Sequence, residues 1–254
     1  MAKLKIWLVL ILLWVIIGST YIAIKIAIDT IPPFFMAGIR YISSGVLLIL
    51  VYILISSQNN NYGTNRNQNA QVSHRDKLVS ILNKRQWKEA TIIGCALILG
   101  GQGLLAWGEQ YLSSSVTALL FSTVPIWVLL IEKIVYREEL KKFTVLGVIT
   151  GTIGFVILIF PSLSGQFVEI DTSNMKFEFV GIMALVIAAI SWSAGSLYSS
   201  KADLPTNVLI STGMTLFVGG IFLIVLSIAI GELQNFHLSA ISMPSMTSLL
   251  YLIT

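Results

Sequence analysis

The chain has 254 residues, of which 56% are apolar and 11% charged, and its mean hydropathy is +0.85. An ordinary globular protein carries about 25% charged residues, so 16 cationic and 12 anionic side chains cannot cover a soluble domain of this size, and lipid must be the missing solvent. The net charge of +4 sits in short connections and one loop with no aromatic-interleaved basic face, which excludes a nucleic-acid partner. Cys95, the only cysteine, lies in an apolar run and allows no intrachain disulfide.

A bilayer core of about 30 Å needs roughly 20 apolar residues of helix, because only segments that satisfy their own backbone hydrogen bonds can cross it. Lys3 and Lys5 precede an apolar run too long for a signal peptide and without a small-residue cleavage site, so this run is the first span, Ile6 to Ile28. The second predicted span is Pro33 to Ile55. After it, Gln58 to Gln71 is rich in Asn and Gln without apolar periodicity, which predicts a disordered, solvated loop over about 56–88. Further spans are predicted over Thr91–Tyr111, Val116–Val135, Val145–Phe160, Phe179–Ser199 and Val208–Ile230, and an eighth begins near Met246. An all-α, polytopic helical bundle follows. With the N-terminus in the cytoplasm, Lys3, Lys5, the six cations from Arg66 to Lys88, Lys133, Arg137, Lys141, Lys142 and Lys201 share the inner side, and only Lys176 lies in an outer loop.

Three charges fall inside spans: Lys25, Arg40 and Glu109. A cation at helix centre costs about 2.5–3.5 kcal/mol on insertion scales, so such residues need a partner or a wet cavity. Arg40 is the deepest, about 10 Å below the outer end of its span. All three occupy the outer half, where Glu109 can pair with Lys25 or Arg40 in a gate that a proton or substrate breaks; the competing reading is a fixed structural ion pair or interfacial snorkelling. Trp14, Gly18, Tyr21 and Lys25 share one helix face, as do Gln102, Ala106 and Glu109, and Trp192, Ser196 and Ser199. Each face is either a cavity wall or ordinary helix packing. Pro125 removes a backbone hydrogen bond in mid-span, giving a kink beside Ser122, Thr123 and Trp127. Gly147, Gly151 and Gly154 offer a small-residue packing or homodimer surface.

The chain also repeats itself. Gly18-Ser19-Thr20-Tyr21 returns as Gly195-Ser196-Leu197-Tyr198, each followed by Lys (Lys25, Lys201), an acid (Asp29, Asp203), a proline (Pro32, Pro205) and an apolar run led by Gly45 or Gly220. The offset is about 175 residues throughout. The two copies start on opposite sides, which makes an inverted five-helix repeat, an architecture that lets two halves rock around a midplane site. The first copy covers residues 1–161 and the second 178–254; by this count the second is incomplete, with two helices and the start of a third.

Several of these segments together resemble the EamA-domain family of the drug/metabolite transporter superfamily, and most closely its bacterial inner-membrane permeases. They are Gly18-Ser19-Thr20-Tyr21, Pro32-Pro33 with Met36 to Tyr41, Trp107-Gly108-Glu109-Gln110-Tyr111 with Ser113, Thr123-Val124-Pro125-Ile126, the three glycines from Gly147 to Gly154, and Ile190 to Tyr198. One departure is Ile17, at a position where the family usually has Trp. The resemblance implies a ten-span carrier of a small metabolite, amino-acid-like solute or drug; nucleotide-sugar exchangers share the superfamily. A proton exchanged through Glu109, or a counter-substrate, is the expected coupling partner, and no cofactor is expected. The resemblance adds Trp107 and Tyr198 to the candidate substrate-binding or gating residues. Gly101-Gln102-Gly103 followed by Ala106 mimics a dinucleotide motif but lies in a lipid-length helix, and His74 and His237 lack neighbouring ligands, so no metal site is expected. The competing classes are a membrane-embedded assembly subunit and, less well supported, an intramembrane enzyme, for which no nucleophile with a base is visible. The orientation predicts that a phosphatase reporter active only outside the cytoplasm is silent when fused after Gln71 and active when fused after Asp171; the reverse pattern contradicts it.

Overall fold

The structure, a computed structural model, describes residues 2–61, 83–137, 142–163, 175–234 and 236–253. Among these, every regular element is a helix: α1 (Ala2–Ala27), α2 (Pro33–Asn61), α3 (Lys84–Gly108), α4 (Ser114–Tyr136), α5 (Lys142–Leu163), α6 (Met175–Ser199), α7 (Val208–Ala229) and α8 (Met243–Ile253), with one 3₁₀ turn at Leu238–Ala240. Six of them contain stretches long and apolar enough to cross a membrane: Ile6–Ile28, Pro33–Ile55, Lys84–Gly108, Ser114–Tyr136, Lys176–Ser199 and Val208–Ala229. The predicted fifth span is helical over the 22 residues of α5. The eighth starts at Met243, where the Ser242 hydroxyl accepts the Ser245 N–H at 3.2 Å as an N-cap.

The disordered loop expected over 56–88 is helical at both ends. α2 continues to Asn61, and α3 starts at Lys84, capped by the Asn83 side chain, which accepts the Arg85 N–H at 3.1 Å. Good helix formers at 84–89 carry the helix outward, and Trp87 packs against the cluster of Ala90, Ile210 and Met214. The remainder of that loop, residues 62–82 with His74, lies outside the described residues, as do Lys141, Glu169 and Asp171.

Two spans are not plain α-helices. In α3, Cys95–Gly103 is wound as a π-helix, so the face predicted from 3.6-residue spacing does not run straight from Gln102 to Glu109. α4 breaks at Ser122–Thr123 and resumes at Val124, with Pro125 in the first turn of the second segment. The predicted kink is present, and the ring fixes it by removing a donor and pre-setting φ. α4 ends at Arg137 in the left-handed region, φ 54°.

Polarity is distributed as lipid demands. Large apolar side chains cover the outside: Trp14 is 62% exposed, Phe143 89% and Phe179 62%. The interior instead favours small and hydroxyl-bearing residues, including Ala27, Ala106, Ala188, Ala189, Thr117, Ser193 and Ser227. Hydrophobicity cannot drive helices together within hydrocarbon, so close backbone approach does.

The most extensive helix contact joins α2 to α7, which run antiparallel. α7 also packs on α3, α3 on α6, α6 on α4, and α1 on α8. Glycines set the α2–α7 spacing: a methyl group added at Gly45 would lie 2.7 Å from the Phe217 nitrogen and 2.9 Å from the Gly213 carbonyl oxygen, and one at Gly220 would lie 2.8 Å from the Ile42 nitrogen. The same test finds nothing within 4 Å at Gly18, Gly147, Gly151 or Gly154. The α5 glycine face is therefore open within the described residues. Overpacking a close backbone contact costs about 1–3 kcal/mol, so Gly45→Val and Gly213→Val are expected to lower the melting temperature in detergent, while Gly18→Ala leaves it unchanged or raises it. Equal effects of the three would contradict the packing.

Candidate functional site

At the end of the bundle where α1 stops and α2 begins, an apolar cluster of Ala23, Ile24, Ala27, Ile31, Phe34, Met36, Ala37, Leu105, Leu112 and Leu249 closes the space between α1, α2, α3 and α8. Two charged side chains tie the helix ends around it. Lys25 Nζ donates to three carbonyl oxygens at the C-terminal end of α3, those of Glu109 (2.5 Å), Gln110 (3.3 Å) and Leu112 (2.8 Å). The last carbonyls of a helix lack intrahelical donors and carry the negative end of its dipole, so an ammonium from another helix suits them in both respects. The mirror arrangement occurs at the start of α2. There the Glu232 carboxylate, just beyond α7, accepts the N–H groups of Phe34 (3.4 Å) and Phe35 (3.2 Å), and the Ser227 hydroxyl donates to it at 2.6 Å. α2 begins with Pro33, with Pro32 before it, so Glu232 supplies the cap that the local sequence lacks.

Glu109 follows α3 and is fully buried, and neither carboxylate oxygen has a hydrogen-bond partner. Lys25 and Ser114 are close enough to interact with it electrostatically, and its charge in turn acts on Tyr21. The ion pair expected from sequence is absent in this conformation: the Lys25 ammonium is on the backbone of the α3 end, and Arg40 Nε donates to the Leu252 carbonyl at 3.1 Å while its guanidinium lies 4.9 Å from the centre of the Tyr41 ring. For Lys25, backbone carbonyls win the competition because the end of α3 must be satisfied in a medium without water.

Of the fourteen candidates, Tyr21, Lys25 and Glu109 are brought together here. Trp14 is not: its stretch of α1 is exposed, and the predicted face from Trp14 to Lys25 divides between an exposed half and a packed half. Gln102 is partly buried in the π-helical segment. Trp107 stands edge-on to Tyr111 at 5.2 Å and lines a wholly apolar groove of about 270 Å³ with Leu104, Phe179, Val180 and Met183. Ser122, Thr123 and Pro125 line a second cleft of about 290 Å³ with Gly147, Val148, Gly151 and Thr152. The hydroxyls of Ser122 and Thr123 turn back onto the carbonyls of Leu119 (2.6 Å) and Leu120 (2.7 Å), and Trp127 Nε1 donates to Thr123 Oγ1 at 3.3 Å, which pins the break in α4. Trp192 packs edge-to-face on Phe121 at 6.0 Å and beneath Gly101. Ser196 is exposed. Tyr198 reaches α3 at the opposite end of the bundle, its hydroxyl donating to Glu89 at 2.6 Å.

Sequence reasoning missed Glu232, Glu89 and the contact between the hydroxyls of Ser19 and Tyr251 at 2.6 Å. Glu232 carried a readable signal, an acid just past the Gly231 that ends a span and opposite a helix start lacking a capping side chain.

A bundle of lipid-length helices with a buried carboxylate and cross-helix charges at its helix ends is the architecture of an all-α, multi-pass membrane protein. The EamA-like transporter family model matches residues 4–160, and the chain belongs to that family. It is 27% identical over 221 residues to the uncharacterized inner membrane transporter YedA of Escherichia coli K12, covering 87% of this chain and 61% of the relative. It is 25% identical over 216 residues to the uncharacterized transporter YoaV of Bacillus subtilis, covering 85% and 63%. A WAT1-related chloroplastic protein of Arabidopsis thaliana is 22% identical over 222 residues, covering 87% and 47%. The chain thus spans about three fifths of the length of the bacterial relatives. No solved structure gives a significant match.

Replacing Lys25 by Met is expected to free the α3–α4 turn. Hydrogen exchange of the amides in 108–114 should accelerate by about tenfold or more, the equivalent of roughly 1.4 kcal/mol; unchanged protection would contradict the clamp.

Proposed function

We propose that the protein is a secondary carrier that moves a small metabolite, amino-acid-like solute or drug across the inner membrane by alternating access between two inverted repeats, 1–161 and 178–254. The observation that carries this reading is the pattern of helix contacts. If α1, α2 and α3 correspond to α6, α7 and α8, then α1 on α8 is the image of α6 on α3, α7 on α3 is the image of α2 on α8, and α2 on α7 is its own image; all five contacts are present. A scaffold has no need of that exchange, whereas a carrier uses it to expose one site to each side in turn. The family model's match to residues 4–160 supports a first unit of this extent.

In this reading the N-terminus faces the cytoplasm, and the Lys25 and Glu232 clamps close the outer end. Glu109 is the coupling group, exchanging a proton, and Lys25 moves from the α3 carbonyls to its carboxylate as the gate opens. Arg40, Gln102 and Trp192 contribute to the solute path. A nucleotide-sugar-type exchanger of the same superfamily is the variant reading of the solute. The open glycine face of α5 (Gly147, Gly151, Gly154) favours a second reading, an assembly or homodimer subunit without transport.

The test is reconstitution in liposomes with radiolabelled amino acids, nucleotide sugars and cationic drugs, with and without a proton gradient. The carrier reading expects uptake or counterflow of one class, reduced at least about tenfold by Arg40→Ala, and loss of the gradient's effect in Glu109→Gln with solute exchange retained. Failure of all three classes would favour the assembly subunit.

A further inference from the structure

We infer that the α2–α7 crossing lies on the pseudo-two-fold axis relating the two repeats and is the fixed contact about which the carrier's states interconvert. This rests on the inverted-repeat reading above. The register carries it. The repeat offset of about 175 residues takes Gly38 to Gly213 and Gly45 to Gly220. In space the pairs are crossed: a methyl at Gly45 would lie 2.9 Å from the Gly213 oxygen, one at Gly213 3.1 Å from the Gly45 oxygen, and one at Gly220 3.0 Å from the Gly38 oxygen. Exchanging the repeats turns the contact of Gly38 with Gly220 into that of Gly213 with Gly45. The two contacts are images of each other, so an axis passes between them.

An inverted-repeat carrier reaches its opposite-facing state when its repeats exchange conformations. A contact set that the exchange maps onto itself is therefore present in both states. The paired glycines are also suited to permanence, because an added methyl at Gly38, Gly45, Gly213 or Gly220 would come within 3.1 Å of a backbone atom, and backbone cannot step aside as a side-chain rotamer can. The Lys25 clamp behaves differently. Its repeat partner, Lys201, sits at the opposite end of the bundle, 3.6 Å from the centre of the Tyr136 ring, so the exchange moves that clamp from one end to the other. Contacts of α1 with the α3–α4 turn change between states, and those of α2 with α7 do not.

Double electron–electron resonance in lipid nanodiscs reads this without knowledge of the solute. In a Cys95→Ser background, spin labels at Leu54→Cys and Val208→Cys span α2–α7, and labels at Ile22→Cys and Ser115→Cys span α1 and the start of α4; Leu54, Val208 and Ile22 are 64%, 73% and 58% exposed and Ser115 is exposed. In acidic and alkaline buffers the α2–α7 pair should keep one narrow distance distribution, and the α1–α4 pair should shift or split. A split α2–α7 distribution overturns the fixed axis, and leaves the carrier reading standing if the α1–α4 pair also moves. Two unmoving pairs, together with absence of flux, overturn both.

Discussion

Lipid offers no hydrogen bonds, and that constraint shapes the rest of this structure. Each helix must satisfy its own backbone over its length, and the groups left over at its ends must find partners from other helices. Lys25 on the α3 carbonyls and Glu232 on the α2 amides answer that need with opposite charges at opposite dipole ends. The hydroxyls of Ser122 and Thr123 return to carbonyls of the preceding turn where Pro125 interrupts α4. Acidic and basic side chains thus divide into those that close helix ends and one, Glu109, whose buried carboxylate has no hydrogen-bond partner.

The same solvent decides how helices meet. Apolar side chains gain nothing by leaving lipid, so α2 and α7 are held by close backbone approach at Gly38, Gly45, Gly213 and Gly220. α5 carries glycines with no described atom within 4 Å of an added methyl, two of them, Gly147 and Gly151, lining the cleft beside the break in α4. Equal composition therefore produces two roles: one glycine set is consumed in close helix contact, and the other leaves open space beside its helix.

Much of the fold was legible because lipid-length apolar runs are a strong signal. Val208–Ala229 agrees with its expected span to within a residue, and the kink at Pro125 follows from its ring. Helix ends were less legible: Asn83 and Ser242 cap helices several residues before the apolar runs begin. The π-helical winding of Cys95–Gly103 left no periodic trace, since an apolar, glycine-rich stretch has no polar face to reveal a change of pitch. In the site, the types and depth of Lys25 and Glu109 were readable and their partners were not. A side chain's competition between a carboxylate and a helix end depends on which helix ends arrive beside it, and that is a tertiary fact. For Trp14, spacing gave a shared face, but only the C-terminal half of that face is packed among the described residues.

On the carrier reading proposed above, one buried site at Glu109 is reached from each side of the membrane in turn. Ala106, 2% exposed and one turn before Glu109, reports on it directly. With Cys95→Ser in place, Ala106→Cys should react with a membrane-impermeant thiol reagent added to either side of sealed proteoliposomes. Cross-linking α1 to the α3–α4 turn should abolish reaction from the side that turn faces and increase reaction from the other. Reaction from one side only, indifferent to the cross-link, would contradict alternating access.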